Sequence, residues 1–142
     1  MTHKPEIFEN KIVIPSDPSL IREVDEFVEV RLRMLELDDT VVADIAICAT
    51  EIVNNAIEHG NKEDPNKRVT LEMRTEDGSV EITVSDEGHF FDPSQIENPV
   101  SEENLLREVG RGIFIVRQLM DKVDIRRGDN GGTVVTFIKQ IA

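Results

Sequence analysis

Glu51-Ile-Val-Asn-Asn-Ala-Ile-Glu-His-Gly60 reads as the end of a long helix that begins near Thr40 and stops at Gly60. Val41, Val42, Ile45, Ala46, Ile47, Cys48, Ala49, Ile52, Val53, Ala56 and Ile57 make it apolar almost all round, the pattern of a buried helix. Glu51, Asn55 and Glu58 break that pattern at i, i+4 and i+7, on one narrow stripe. Burying a carboxylate and an amide on one stripe is costly unless something polar meets them. Solvent would meet them on an exposed stripe. In a buried one, a structural partner, water, or a ligand with its metal must do so.

Before this helix, residues 6–14 hold Ile7-Phe8 and Ile12-Val13-Ile14, an edge strand ending at Pro15. Asp17 with Pro18 signals a helix start. Leu20, Ile21, Val24, Phe27, Val28, Arg31, Met34 and Leu35 follow at helical spacing. After a polar loop, Asn61 to Lys67, two alternating strands carry Val69, Leu71, Met73 and then Val80, Ile82, Val84. Asp77-Gly78 between them is a hairpin signal. An irregular stretch of roughly 20 residues begins at Asp86, a length that marks a loop as either functional or mobile. Regularity resumes at Gly110-Arg-Gly-Ile113, which opens a third helix. Two closing strands near Val123–Arg127 and Thr133–Ile138 are joined by Asp129-Asn-Gly-Gly132. About five strands, mostly antiparallel, with three helices on one face predict an α+β domain.

The 142 residues suffice for one domain with a core, 1–142. A formal charge of −13 argues against a general nucleic-acid or anionic-membrane surface and suits a partner with a basic face. Apolar runs are short, which predicts no membrane span. The N-terminus lacks an apolar secretory core, so a cytoplasmic protein is expected. Cys48 is the only cysteine and reads as a small core residue. His3, His59 and His89 are dispersed, and no zinc spacing is present.

Three further signals follow the helix. Asp86-Glu87-Gly88 ends a buried strand, where the carboxylate can accept from an exocyclic amine and the glycine lets backbone approach a flat ring; a plain turn reads the same way. Gly110-Arg111-Gly112 at a helix start offers free amides to phosphate, or merely joins loop to helix. Gly131-Gly132-Thr133 is explained by a hairpin, although the Thr133 hydroxyl can reach a ligand.

In that order, the four elements resemble the GHKL, or Bergerat-fold, ATPases. Within them the chain is most similar to the bacterial anti-sigma-factor serine/threonine kinases of partner-switching systems, from about Ile7 to Ile138. Glu51 to Gly60 and Gly110 to Asp121 carry the most specific likeness. The resemblance implies a two-layer Bergerat-type sandwich with a mixed sheet. It also implies that Asn55 coordinates Mg2+ bridging the phosphates of ATP, and that Glu51 takes the proton from a substrate serine. Asp86 reads the adenine amino group, Gly88 gives the ring room, and Thr133 helps hold it. A lid spans about 94–109, with Gly110 and Gly112 at the phosphates; Arg111 either touches phosphate or lies exposed on the lid. Phe90 stands where many relatives have a second glycine, to pack on the base or prop the lid. His59 is expected to be a cap or pocket-rim residue.

The implied function is a protein serine kinase acting on a STAS-type anti-anti-sigma antagonist and sequestering a sigma factor, as a homodimer. The alternatives are a nucleotide-gated binding module without kinase activity and a detached histidine-kinase catalytic module. The second lacks support in the sequence, since no helical hairpin with a phosphoacceptor histidine is evident.

Overall fold

The alternating segments pair so that their apolar residues fall on shared rungs of a sheet. The computed structural model describes residues 4–90 and 104–141, with the side chains of residues 104–108 outside the description. Its strands are β1 (Glu6–Ile7), β2 (Lys11–Pro15), β3 (Arg68–Glu76), β4 (Ser79–Asp86), β5 (Lys122–Arg127) and β6 (Thr133–Gln140). They form one six-stranded sheet in the order β1-β2-β3-β4-β6-β5. Every pairing among the described residues is antiparallel, in keeping with the expected mostly antiparallel sheet, and a sixth strand joins the about five read from the sequence. The extra strand arises because residues 6–14 do not run straight. The amide of Phe8 donates to the Lys11 carbonyl at 2.8 Å, and this turn folds β1 back onto β2.

Residues directly opposite in an antiparallel pair point to the same face. Ile12, Leu71, Val84 and Val135 make one rung, and Met73, Ile82 and Phe137 the next. All seven are buried. The intervening rung of Glu72, Thr83 and Thr136 faces the other way, with the two threonine hydroxyls 3.1 Å apart. One face of the sheet is therefore apolar and the other polar. Asp77 and Gly78 both have positive φ (47° and 77°), the two-residue turn that Asp-Gly favours and that sets this register.

Helices close the apolar face. Asp17 accepts from the Ser19 amide at 3.0 Å and caps a 3-10 turn, Pro18–Leu20, leading into α1 (Ile21–Arg33). Val24, Phe27, Val28 and Leu32 are the buried stripe of α1. The central helix α2 (Asp39–Asn55) packs against α1, against α3 (Asn104–Leu119) and against β4. By length and composition the segment Asp39–Gly60 could cross a membrane, contrary to the reading of short apolar runs, but half of its most apolar stretch is buried inside the domain. A core helix satisfies the same test. Cys48 is fully buried on α2, and burial pushes its thiol up to about 12.

The start of α3 also differs from expectation. It begins at Asn104, so Gly110, Arg111 and Gly112 lie inside the helix and do not open it. Each interior glycine costs on the order of 1 kcal/mol against alanine. The buried stripe Val109, Ile113, Val116 and Met120 offsets that cost by packing into the core. Residues 94–103 of the expected lid lie outside the described residues, while 104–109 are helical.

Candidate active site

The next rung of the apolar face is Ile14, Val69 and then Asp86, a carboxylate where the pattern would place an aliphatic residue. Asp86 is 4% exposed. Its Oδ1 accepts from the amides of Gly88 at 3.0 Å and Thr133 at 3.1 Å, while Oδ2 lies over Gly60. Burial is the largest influence on its acidity and pushes the pKa up; the two amides and Lys67 pull the other way.

What makes room for this carboxylate is the end of α2. There the helix widens into a π-helical turn, Ala56–Gly60, closed by the Asn61 amide donating to the Ala56 carbonyl at 2.8 Å. Such turns recur at functional sites. Here it presses Gly60 between Asp86 and Gly88. A side chain on Gly60 would overlap Asp86 Oδ2, and one on Gly88 would overlap the Gly60 carbonyl oxygen. Gly132 closes a third side against Asp86. Since a Cβ on Gly88 meets backbone, which cannot rotate away, Gly88→Ala is expected to cost on the order of 1–3 kcal/mol. It should abolish nucleotide binding as well. Thermal unfolding and ATP titration of that variant check this; an unchanged melting temperature would contradict the packing.

Asn61, assigned by sequence to a polar loop, holds the same corner together. It is 1% exposed. Its Nδ2 donates to Ser16 Oγ at 2.8 Å and to the Arg68 carbonyl at 2.9 Å, and its Oδ1 accepts from the Glu87 amide at 2.9 Å. One side chain thus ties the ends of β2, β3 and β4. An asparagine following a helix stop looks like any turn residue, so no local signal distinguishes it.

Further along α2, Glu51 and Asn55 sit one turn apart and face α3. A Cβ on Gly112 would lie 3.0 Å from Asn55 Nδ2 and 3.3 Å from Glu51 Oε2. Glycine at 112 is therefore what lets α3 approach this polar pair. Both side chains are half-buried, yet Asn55 Nδ2 is wholly buried and has no hydrogen-bond partner among the described residues. An unmade bond of that kind costs about 1–3 kcal/mol. Glu58, the third member of the stripe, is half-buried, with its Oε2 3.8 Å from His59 Nε2. Arg111 is exposed on α3 and Thr133 is buried beside Asp86. The stripe and the Asp86 corner thus lie along one helix and its π-helical extension, between the sheet and α3.

A family model described as a histidine kinase-like ATPase domain matches residues 14–139. The chain belongs to that family. This histidine kinase-like ATPase is 36% identical over 111 residues to the anti-sigma F factor of Geobacillus kaustophilus, covering 75% of this chain and 76% of the relative. It is 29% identical over 106 residues to the serine-protein kinase RsbW of Bacillus subtilis, covering 70% of this chain and 65% of that one. Among solved structures, the SiaB-SiaC complex from Pseudomonas aeruginosa aligns with a TM-score of 0.61 at 14% identity, covering 98% of this chain and 92% of that chain. The catalytic domain of the histidine kinase ThkA aligns at 0.58 and 21% identity, covering 86% and 90%. At such identities these two speak for the α+β sandwich alone. Family membership makes ATP the nucleotide this domain uses.

Proposed function

We infer that the domain is an ATP-dependent protein serine kinase and anti-sigma factor. It phosphorylates a serine on a STAS-type antagonist and sequesters a sigma factor, acting in the cytoplasm as a homodimer. A single domain, 1–142, holds the whole site and a lid over about 94–109. The observation that carries the reading is the pair Glu51 and Asn55, one turn apart beside Gly112, with a buried amide that lacks a partner. The names of the relatives, anti-sigma F factor and serine-protein kinase, point the same way.

Magnesium fits the donor set. The nitrogen and oxygen of an asparagine amide exchange by a simple flip, so Asn55 can turn its oxygen to a hard cation. No group of three or more His, Cys, Asp or Glu side chains converges among the described residues. Asn55 would hold the magnesium ion, which would supply charge neutralisation at the transferred phosphoryl group. Glu51 accepts the proton of the acceptor serine as the oxygen–phosphorus bond forms and ADP leaves. Asp86 holds the adenine amine through the oxygen not spent on the Gly88 and Thr133 amides, with Gly88 leaving the ring space and Thr133 supporting it. Contacts of the Gly110 and Gly112 amides with phosphate require the first turns of α3 to open, because those amides are internal to a helix, whereas the exposed Arg111 side chain can reach a phosphate from α3 as it stands.

The test is incubation with ATP, magnesium and a STAS-type protein of the same genome, followed by mass spectrometry and acid treatment. An acid-stable phosphoserine is expected. Label lost in acid would point to a histidine-kinase module, and bound ATP without transfer to a nucleotide-gated binding module.

Asp86→Asn separates recognition from folding. The raised pKa means the fold disfavours the ionised carboxylate, so Asp86 costs stability increasingly as pH climbs through the carboxylate range. Asparagine keeps an oxygen for the two amides and carries no charge. The variant is expected to melt at or above the wild-type temperature at pH 7 while losing roughly tenfold or more in ATP affinity, the scale of a charge-assisted hydrogen bond. Unchanged ATP affinity would remove Asp86 from adenine recognition.

A further inference from the structure

The rung that carries Asp86 does not end at Thr133. Thr133 stands directly opposite Arg127 on β5, so Asp86, Thr133 and Arg127 lie side by side on the face of the sheet turned toward the site. Arg127 is the last residue of β5, and its guanidinium sits 5.2 Å from the centre of the Phe90 ring, within cation–π range. The backbone before Phe90 is clamped on both sides. The amide of His89 donates to the Gly60 carbonyl at 3.3 Å, and the Thr133 hydroxyl donates to the His89 carbonyl at 3.4 Å. Phe90 is half-buried, two residues beyond Gly88, whose missing side chain admits the Gly60 carbonyl.

We propose that Phe90, oriented by Arg127, is the platform on which the purine ring of the bound nucleotide stacks. This rests on the reading of Asp86 as the adenine-binding carboxylate and adds two residues to it. Asp86 recognises the edge of the base, while Phe90 supplies a π-face, which is indifferent to which purine is bound. Arg127 contacts the ring and fixes its plane, and is a positioning residue.

The experiment compares wild type, Phe90→Leu and Arg127→Gln by calorimetric titration with ADP and with ATP, and by NMR of the adenine H2 and H8 protons of ADP. Leucine keeps apolar bulk but has no ring current. Phe90→Leu is expected to weaken ADP and ATP alike, by roughly tenfold, within the range of base–aromatic stacking. It should also abolish an upfield shift of H2 and H8 seen with wild type. Arg127→Gln should give a smaller loss, about two- to fivefold, with a reduced shift. An upfield shift that survives in Phe90→Leu overturns the proposal. So does a loss confined to ATP, which would make Phe90 a prop for the lid and not a platform for the base. If wild type itself fails to bind ADP, the nucleotide reading falls and stacking with it. That outcome is told apart because the unmutated protein is then the silent one.

Discussion

Glu51→Gln is expected to bind ATP within about twofold of wild type and to transfer phosphate roughly 10²–10⁴-fold more slowly, the usual contribution of a positioned general base. Glutamine preserves the size and shape of the side chain against Gly112, where Glu51 Oε2 would lie 3.3 Å from an added Cβ. The close approach of α2 and α3 therefore survives. What is lost is the capacity to accept a proton from the acceptor hydroxyl. Transfer is read by single-turnover kinetics with the STAS-type substrate, and binding by titration. Loss of binding would make Glu51 a metal or structural residue. Unchanged transfer would leave the proton to another group, and would favour a domain in which Glu51 only orders water.

Asn55→Ala is expected to remove the magnesium-dependent part of ATP affinity without unfolding the domain. The usual objection to truncating a buried amide is that its partners are left unsatisfied. Here Nδ2 has no partner among the described residues, so nothing is orphaned by its removal. Its neighbours on the helix, Ile52 and Ala56, keep their packing. The loss of affinity should reach at least the roughly 10–100-fold that even outer-shell partners of metal ligands contribute. Circular dichroism and thermal melting should match wild type within a few degrees. A large fall in melting temperature would instead mean that the amide supports the helix pair, and its place in the site would have to be withdrawn.

Much of this arrangement is legible locally. The nearly all-round apolar character of α2 identifies a core helix, and the interruptions at Glu51, Asn55 and Glu58 mark the polar stripe. Strict alternation in β3 and β4, with Asp77-Gly78 between them, reads directly as the central hairpin. Even the site position of Asp86 follows from parity. It is two residues beyond Val84 on the same strand face and takes the place of a core residue.

What escapes is set by contacts distant in sequence. Asn61 bonds to Ser16, 45 residues away, and to the amide of Glu87, 26 away, which no window of sequence displays. Gly60 looks like a helix stop, and its role as the wall of the Asp86 pocket depends on the π-helical turn that carries it there. Gly110 and Gly112 look like a hinge because glycine disfavours helix. Yet the stripe from Val109 to Met120 keeps α3 wound through them, and Gly112 serves instead as the gap that admits Asn55. The turn at Phe8 to Lys11 splits one apparent edge strand into two because a two-residue strand has no periodicity to recognise.

The most direct test of an ATP site built around Asn55 is calorimetric titration of wild type and Asn55→Ala with ATP, each with and without magnesium. Saturable binding to wild type that strengthens with magnesium, and loses that dependence in the variant, is the predicted result. Wild type that is folded but binds no ATP, or a variant that keeps the full magnesium effect, would contradict it.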